Sequence, residues 1–418
     1  MQKSTKWLIL LLLPFLTRAQ TFTLQQAYDS ARLHYPLIKQ QQLVQQTAAI
    51  NISNLSKGYL PQVTLNGQAT YQTDVTKVSV PIPGIVIQPP SKDQYKVLAD
   101  VNQTIYDGGL IRQQQQLQDL NGTVENQKVE VELYKLKERV YQVYMSILYV
   151  DEQAKQVDLV KADLNTGINR VQAQVDNGVA FKSNLNMLKA ELVKTDQRSI
   201  ELVATRKGLV DVLSLFLNRA LDNNVQLVKP VLAPSITDSI TRPELEVYQG
   251  QSLLLQQQAK LIDARNLPKA SVFVQGGYGR PGLNMLDNDF ALYGIGGLRV
   301  TWPLGGLYTA KKEKQLVAIN KQSVEVQKET FLLNTHTQVK QQLAEIEKLQ
   351  QLVQSDQQLI ALRKSVKDAA DAQLENGVIT ASDYVREVNA EDQARQSLIT
   401  HQLQLLQAQV MLQTITGK

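Results

Sequence analysis

The sequence predicts a mixed α and β membrane protein built from two similar units, each running helix, strand, strand, long helix, turn, helix. Three observations carry this. Two runs, Leu110 to Lys229 and Leu304 to Lys418, contain none of the thirteen prolines and read as helix throughout. Four shorter stretches alternate apolar and polar residues with a period of two. Four short motifs recur in the same order at an offset of about 200 residues, the mark of an internal duplication.

Taken in order, the chain opens with an export signal over residues 1–19. Lys3 and Lys6 make a positive start, Leu8 to Leu13 an apolar core, and Thr17-Arg18-Ala19 a small-residue cleavage site. That core is too short to span a membrane as a helix, and no other stretch is long and apolar enough. Any crossing must therefore use strands. Removing Lys3, Lys6 and Arg18 with the signal lowers the net charge from +5 to +2, so the basic balance makes no case for a nucleic-acid partner. With no cysteine, the chain carries neither disulfides nor an N-terminal lipid anchor on a cysteine.

Thr23 to Lys57 reads as helix, ended by Gly58 and Pro61. Strands follow at about 62–75 and 95–106. Val63, Leu65, Gly67, Ala69 and Tyr71 share one face of the first, and Tyr95, Val97, Ala99, Val101 and Ile105 one face of the second. Between them, Val78 to Pro90 forms a proline-rich loop that the second half lacks. A helix hairpin then fills about 110–217. A continuous helix over 110–175 would be roughly 100 Å long at about 1.5 Å per residue, with Gly122 and Gly167 as points of weakness. Residues 221–241 are a linker. The second unit, 242–418, repeats the plan after the first, 20–220, with strands at about 269–279 and 290–302 and a hairpin at about 306–415. Leu349, Leu352, Leu359, Leu362 and Val366 mark an apolar seam on its long helix. Gly108-Gly109 and Gly305-Gly306 are strand-to-helix bends, where glycine supplies conformational freedom.

Strands of about ten residues with one apolar face suit an outer-membrane barrel, and Tyr106 and Trp302 at strand ends suit an interfacial belt. A soluble sheet packed on one face is the alternative. Four strands cannot close a barrel, and open edges are not tolerated in lipid. Three copies would give a twelve-stranded β-barrel standing on a long α-helical periplasmic tunnel.

The residues resemble the TolC-like outer membrane efflux proteins over essentially the whole mature chain. The resemblance rests on the two-fold repeat, Tyr35-Pro36, Gly58-Tyr59-Leu60-Pro61 and Asn266-Leu267-Pro268, the Gly-Gly-Leu helix starts, and the turns Asn177-Gly178-Val179 and Asn376-Gly377-Val378. It implies a homotrimer in outer membrane lipid that docks a periplasmic adaptor (membrane fusion) protein and an inner-membrane pump. The function it implies is the exit duct of a tripartite efflux or type I secretion system, gated at its periplasmic end. The six turn residues would touch the adaptor. Asp383 matches an acidic position that narrows the closed entrance, while the next expected acid falls on Arg386. Positions that latch the entrance in relatives read here as Asn184, Leu374 and Ile379, so the usual latch chemistry is not reproduced. Glu375 and Asp371 lie nearby and read as solvated helix residues.

Other signals point nowhere sharper. Gly277 to Gly282 matches a dinucleotide pattern but contains Pro281 and is followed by an Asn/Asp loop instead of a helix. Asp287 and Asp289 in that loop read as solvated, and His34, His336 and His401 stand apart from any ligand partner. No nucleophile, base pair or phosphate loop suggests an enzyme, and no cofactor or metal is expected. Two non-transport readings compete: a non-conducting coiled-coil structural protein anchored in the outer membrane, and the periplasmic adaptor itself. Two half-anchors inside a duplicated helical frame disfavour the first, and lipid-facing strand pairs disfavour the second.

Overall fold

The computed structural model describes residues 21–77, 89–231 and 239–417. The expected signal and most of the proline-rich loop lie outside the described residues. In chain order the elements are β1 (Thr21–Phe22), α1 (Leu24–His34), α2 (Ile38–Ser56), β2 (Gln62–Tyr71), β3 (Asp93–Tyr106), α3 (Leu110–Asp176), α4 (Lys182–Leu217), β4 (Gln226–Leu227), α5 (Pro243–Arg265), β5 (Lys269–Arg280), β6 (Ala291–Thr301), α6 (Leu307–Glu375) and α7 (Ala381–Thr416). Helices α3 and α6 run 67 and 69 residues without a break. The first expected helix is two: Pro36 has no N–H to donate, and α1 ends where the Tyr35 N–H reaches Ala31 O.

The chain forms two compact units, one of residues 39–131 and 243–333, the other of residues 1–38, 132–242 and 334–418. Each draws on both halves of the sequence.

The first unit holds an antiparallel sheet in the order β2-β3-β5-β6. Its register aligns Leu65, Ala99, Gly276 and Gly294 in one row and Gly67, Val97, Tyr278 and Leu292 in another. Alternation therefore gathers most of the apolar residues of all four strands on one face. That face is bare: Leu65 is 75% exposed, Leu292 82% and Leu298 78%. The opposite face carries Thr64, Asp100, Gln275 and Ile295 in one row and Asn66, Leu98, Gly277 and Tyr293 in another; Gly277 is buried. Strands β2 and β6 each pair on one side only.

Small residues let the helices of this unit approach closely. A Cβ on Gly122 would lie 3.0 Å from the Ala48 Cβ, and one on Gly250 would lie 2.9 Å from Val124 Cγ2. Gly122 is thus a packing site of α3 against α2 and not a weak point. At the bend into α3, Gly108 and Gly109 are left-handed (φ +73° and +77°), and the Asp107 carboxylate accepts from the Gly109 and Ile111 amides at 2.8 and 2.7 Å. The second bend differs from expectation. Leu304–Gly306 is a 3-10 turn without positive φ, and Gly306 serves by leaving room for the Asn266 amide.

In the second unit, one core joins Leu24, Ala27 and Ala31 of α1 to Tyr144 of α3, Leu213 of α4 and Leu406 of α7. The stretch expected as a linker takes part. Its β4 pairs in parallel with β1, Val225 enters the core, and the Tyr144 hydroxyl sits 2.6 Å from Phe22 O and 2.7 Å from Val228 O. A second core lies toward the hairpin ends and takes Leu164 and Val171 from α3, Leu185 and Leu188 from α4, Leu374 from α6, and Tyr384 and Val388 from α7. The expected α6 seam is only partly used: Leu349 is buried, while Leu359, Leu362 and Val366 are exposed. In the first unit Ile319, Val326 and Leu333, seven residues apart, are exposed on α6 as well.

Candidate functional site at the helix hairpin ends

Both hairpins reverse through the same backbone device. Gly178 and Gly377 are left-handed (φ +73° and +68°). In the first turn the Gly178 N–H reaches Val175 O at 3.0 Å and the Val179 N–H reaches Gln174 O at 2.8 Å. In the second, Gly377 reaches Leu374 O at 3.1 Å and Val378 reaches Gln373 O at 2.8 Å. This pair of bonds satisfies carbonyls that a helix end leaves free, and it requires the αL glycine. Val179, Phe181 and Val378 project outward, Phe181 with 80% of its surface exposed.

The return helices then differ. Helix α4 starts after Phe181, which offers no side-chain cap. Helix α7 starts after Thr380, whose hydroxyl accepts from the Asp383 amide at 3.2 Å while the Asp383 carboxylate accepts from the Thr380 amide at 3.2 Å. This is a capping box. The Thr380 hydroxyl and amide, with Arg386 3.5 Å away, hold the Asp383 carboxyl below its ordinary pKa. Arg386 also pairs with Glu387 at 3.2 Å. Asn184, the counterpart of Asp383 in the first hairpin, is half-buried, and its amide reaches Phe181 O at 3.0 Å.

Behind the second turn lies a charge network that joins α3 to α6 and α7. Arg170 of α3 meets Asp371 at 2.5 Å and Glu375 at 3.6 Å, so neither acid is merely solvated. The Asp371 hydrogen bond raises the Arg170 pKa against the effect of its burial. One stretch further in, Lys367 meets Asp163 at 3.0 Å and Glu391 at 3.4 Å. Burial is the largest single influence on Lys367 and pulls its pKa down, but Asp163 and Glu391 together hold it above the ordinary value. Glu391, almost fully buried, is also 2.6 Å from Arg395, and Asp392 is 3.0 Å from Arg198 of α4. Tyr384, 1% exposed, donates to Asp163 O at 3.3 Å, and burial drives its hydroxyl pKa far up.

Of the residues expected to form the entrance, Asp383 and Arg386 therefore meet each other, Glu375 joins Arg170, and Asn184 touches none of them. Sequence reasoning missed Arg170, Lys367, Asp163 and Glu391. A signal was present: Lys367 sits three and seven residues before the buried Ala370 and Leu374, and Glu391 three and seven after Val388 and Tyr384. Each is a charge in the phase of an apolar seam. Among the described residues no group of His, Cys, Asp and Glu could hold a metal ion. The Asp287 carboxylate accepts from the Asp289 amide at 3.1 Å within its own loop. No described helix is long and apolar enough to cross a membrane.

No protein-family model matches the chain, and no curated protein matches it by sequence. Solved structures do. The chain is similar to CusC, a structure described for transmembrane channel formation, with a TM-score of 0.68 at 13% identity over 94% of this chain and 91% of that one. It is similar to the outer membrane channel MtrE of Neisseria gonorrhoeae in its open state, with a TM-score of 0.66 at 15% identity over 94% and 88%. It is also similar to the outer membrane channel CmeC of Campylobacter jejuni, with a TM-score of 0.64 at 13% identity over 94% and 85%. These matches are channels, and at such identity the likeness is one of fold: the chain has the fold of these solved channel structures.

Proposed function

We propose that the protein is the outer-membrane exit duct of a tripartite efflux system, a passive conduit entered at its helix hairpin ends. One observation carries the reading: the sheet leaves its apolar face bare, the reverse of a soluble sheet, which packs that face away from water. Val63, Leu65, Val97, Val274, Leu292, Leu298 and Val300 cover the exposed side. At about 25 cal/mol per Å², leaving such a surface in water would cost many kcal/mol, so lipid is its natural solvent.

Lipid in turn forbids the free edges of β2 and β6. Three copies, paired β6 to β2, close twelve strands and leave a lumen wide enough for cargo. The repeated element order supports an origin by duplication, and the exposed α6 seam residues supply the surfaces on which neighbouring helices would pack. The resemblance to TolC-like proteins implies an adaptor and a pump as partners and the two turns as the adaptor contact, and the channel fold is compatible with this. In this reading the Arg170 and Lys367 networks hold the second hairpin closed in place of the missing latch residues.

The direct test is electrical. Purified protein added to a planar lipid bilayer should insert in discrete conductance steps. Stable insertion without conductance contradicts the duct and favours the structural anchor.

A further inference from the structure

The two faces of the sheet divide its charges unequally. On the apolar face stand one carboxylate, Asp93, and one guanidinium, Arg280, which pair with each other at the strand ends. On the polar face stand Lys96, Lys269 and Arg299 against a single acid, Asp100. That acid accepts a hydrogen bond from the Gln275 amide across the ladder. None of the three cations has a carboxylate partner among the described residues. Arg299 lies 4.5 Å over the Phe273 ring, which leaves its full positive charge uncancelled and fixes it on the polar face.

The register places these charges in tiers. Lys269 pairs with Thr301 and Arg299 with Ser271, at the strand ends that adjoin α5 and α6. Asp100 pairs with Gln275, and Lys96 with Gly279 at the far end. Four residues of strand separate each step, about 14 Å at ~3.4 Å per residue. That exceeds the Debye length of about 8 Å in physiological salt, so Asp100 offsets each basic tier only in part.

We infer that the barrel lumen is electropositive and that the duct favours anionic cargo, with Lys269 and Arg299 forming the selective tier at its helix-side mouth. The inference rests on the duct reading, since a three-copy barrel repeats each tier three times around one lumen. It concerns the sign of the cargo, which neither the fold nor the resemblance fixes. Low-dielectric walls focus the field of such a tier into the lumen.

The reversal potential of the bilayer-inserted protein under a KCl gradient reads the preference. The wild type should pass chloride over potassium severalfold in solutions near physiological ionic strength, the direction that a focused positive potential imposes. The double variant Lys269→Gln/Arg299→Gln should abolish the preference, Arg299→Lys should keep it, and Asp100→Asn should strengthen it. Arg299→Lys conserves charge and so separates a charge effect from a folding defect. A wild type that prefers potassium, or a conducting double variant with an unchanged ratio, overturns the inference while leaving the duct intact. Absence of conductance removes the duct and the inference together.

Discussion

Gly167 offers a test in which propensity and packing predict opposite signs. It lies inside α3, where replacing glycine with alanine ordinarily stabilises a helix by about 1 kcal/mol. A Cβ there would sit 2.9 Å from Cε1 of Tyr384, with Cδ1 and Cζ at 3.6 and 3.7 Å. The favourable separation is about 3.5–4.0 Å, so the first contact is too short by more than half an ångström. Tyr384 cannot retreat easily, because its ring is buried among α3, α4, α6 and α7 and its hydroxyl is bonded to Asp163 O. Overpacking of this kind costs roughly 1–3 kcal/mol, which cancels or reverses the propensity gain. Gly208 in α4 is the control, since a Cβ there meets nothing within 4 Å and Gly208→Ala should stabilise by about 1 kcal/mol. Thermal unfolding of detergent-solubilised protein, followed by helical circular dichroism at one scan rate, compares the variants. Gly208→Ala should raise the midpoint, and Gly167→Ala should leave it unchanged or lower it. In a Tyr384→Leu background Gly167→Ala should become stabilising. If Gly167→Ala raises the midpoint as much as Gly208→Ala does with Tyr384 in place, the packing argument fails.

Further outcomes follow from the hairpin ends and the shared edges. Thr380→Ala removes the hydroxyl that caps α7 and should cost about 0.5–2 kcal/mol locally, read as faster amide exchange in the first turn of α7. Phe181→Ser adds the missing cap to α4 and should slow exchange there; no change would mean the helix start is held otherwise. Asp383 has a lowered folded pKa, so its stabilisation is present above the ordinary aspartate range and is lost as pH falls through the folded value. Protection at the start of α7 should therefore drop on acidification in the wild type, and less in Thr380→Ala. Glu391→Gln strips one partner from Lys367 and from Arg395; with Asp163 still on Lys367 the loss should be about 1–3 kcal/mol. Light scattering of the extracted protein should give three chains per particle, and a stable folded monomer would contradict the shared barrel.

Where a repeat acts over many residues, the sequence reveals it. The strands were legible because ten or more alternating residues outweigh any single exception, and the hairpin turns because Asn-Gly after a long helix has few other uses. The break at Tyr35-Pro36 was visible in the proline but yielded to the apolar periodicity around it. The β1–β4 pair escaped because each strand has two residues, too few for a period. Gly122 and Gly167 looked weak because propensity describes an isolated helix, whereas here neighbouring side chains fill the space a Cβ would take. The charge network was hidden for a similar reason. Lys367 and Glu391 occupy seam positions and Arg395 lies one turn beyond Glu391 on α7, yet only the fold shows that Lys367 comes within reach of both Asp163 and Glu391.

The central claim is that the bare face of the sheet is a membrane wall. The chain has no cysteine, so single cysteines can be placed along the strands without background. Each would carry a fluorophore, in protein reconstituted into vesicles and exposed in turn to a lipid-confined and a water-soluble quencher. Labels at Leu65, Val97, Leu292 and Leu298 should be quenched from the lipid, and labels at Asn66, Lys96, Tyr293 and Arg299 from the water, alternating residue by residue. Quenching of both sets from the water alone would contradict the account.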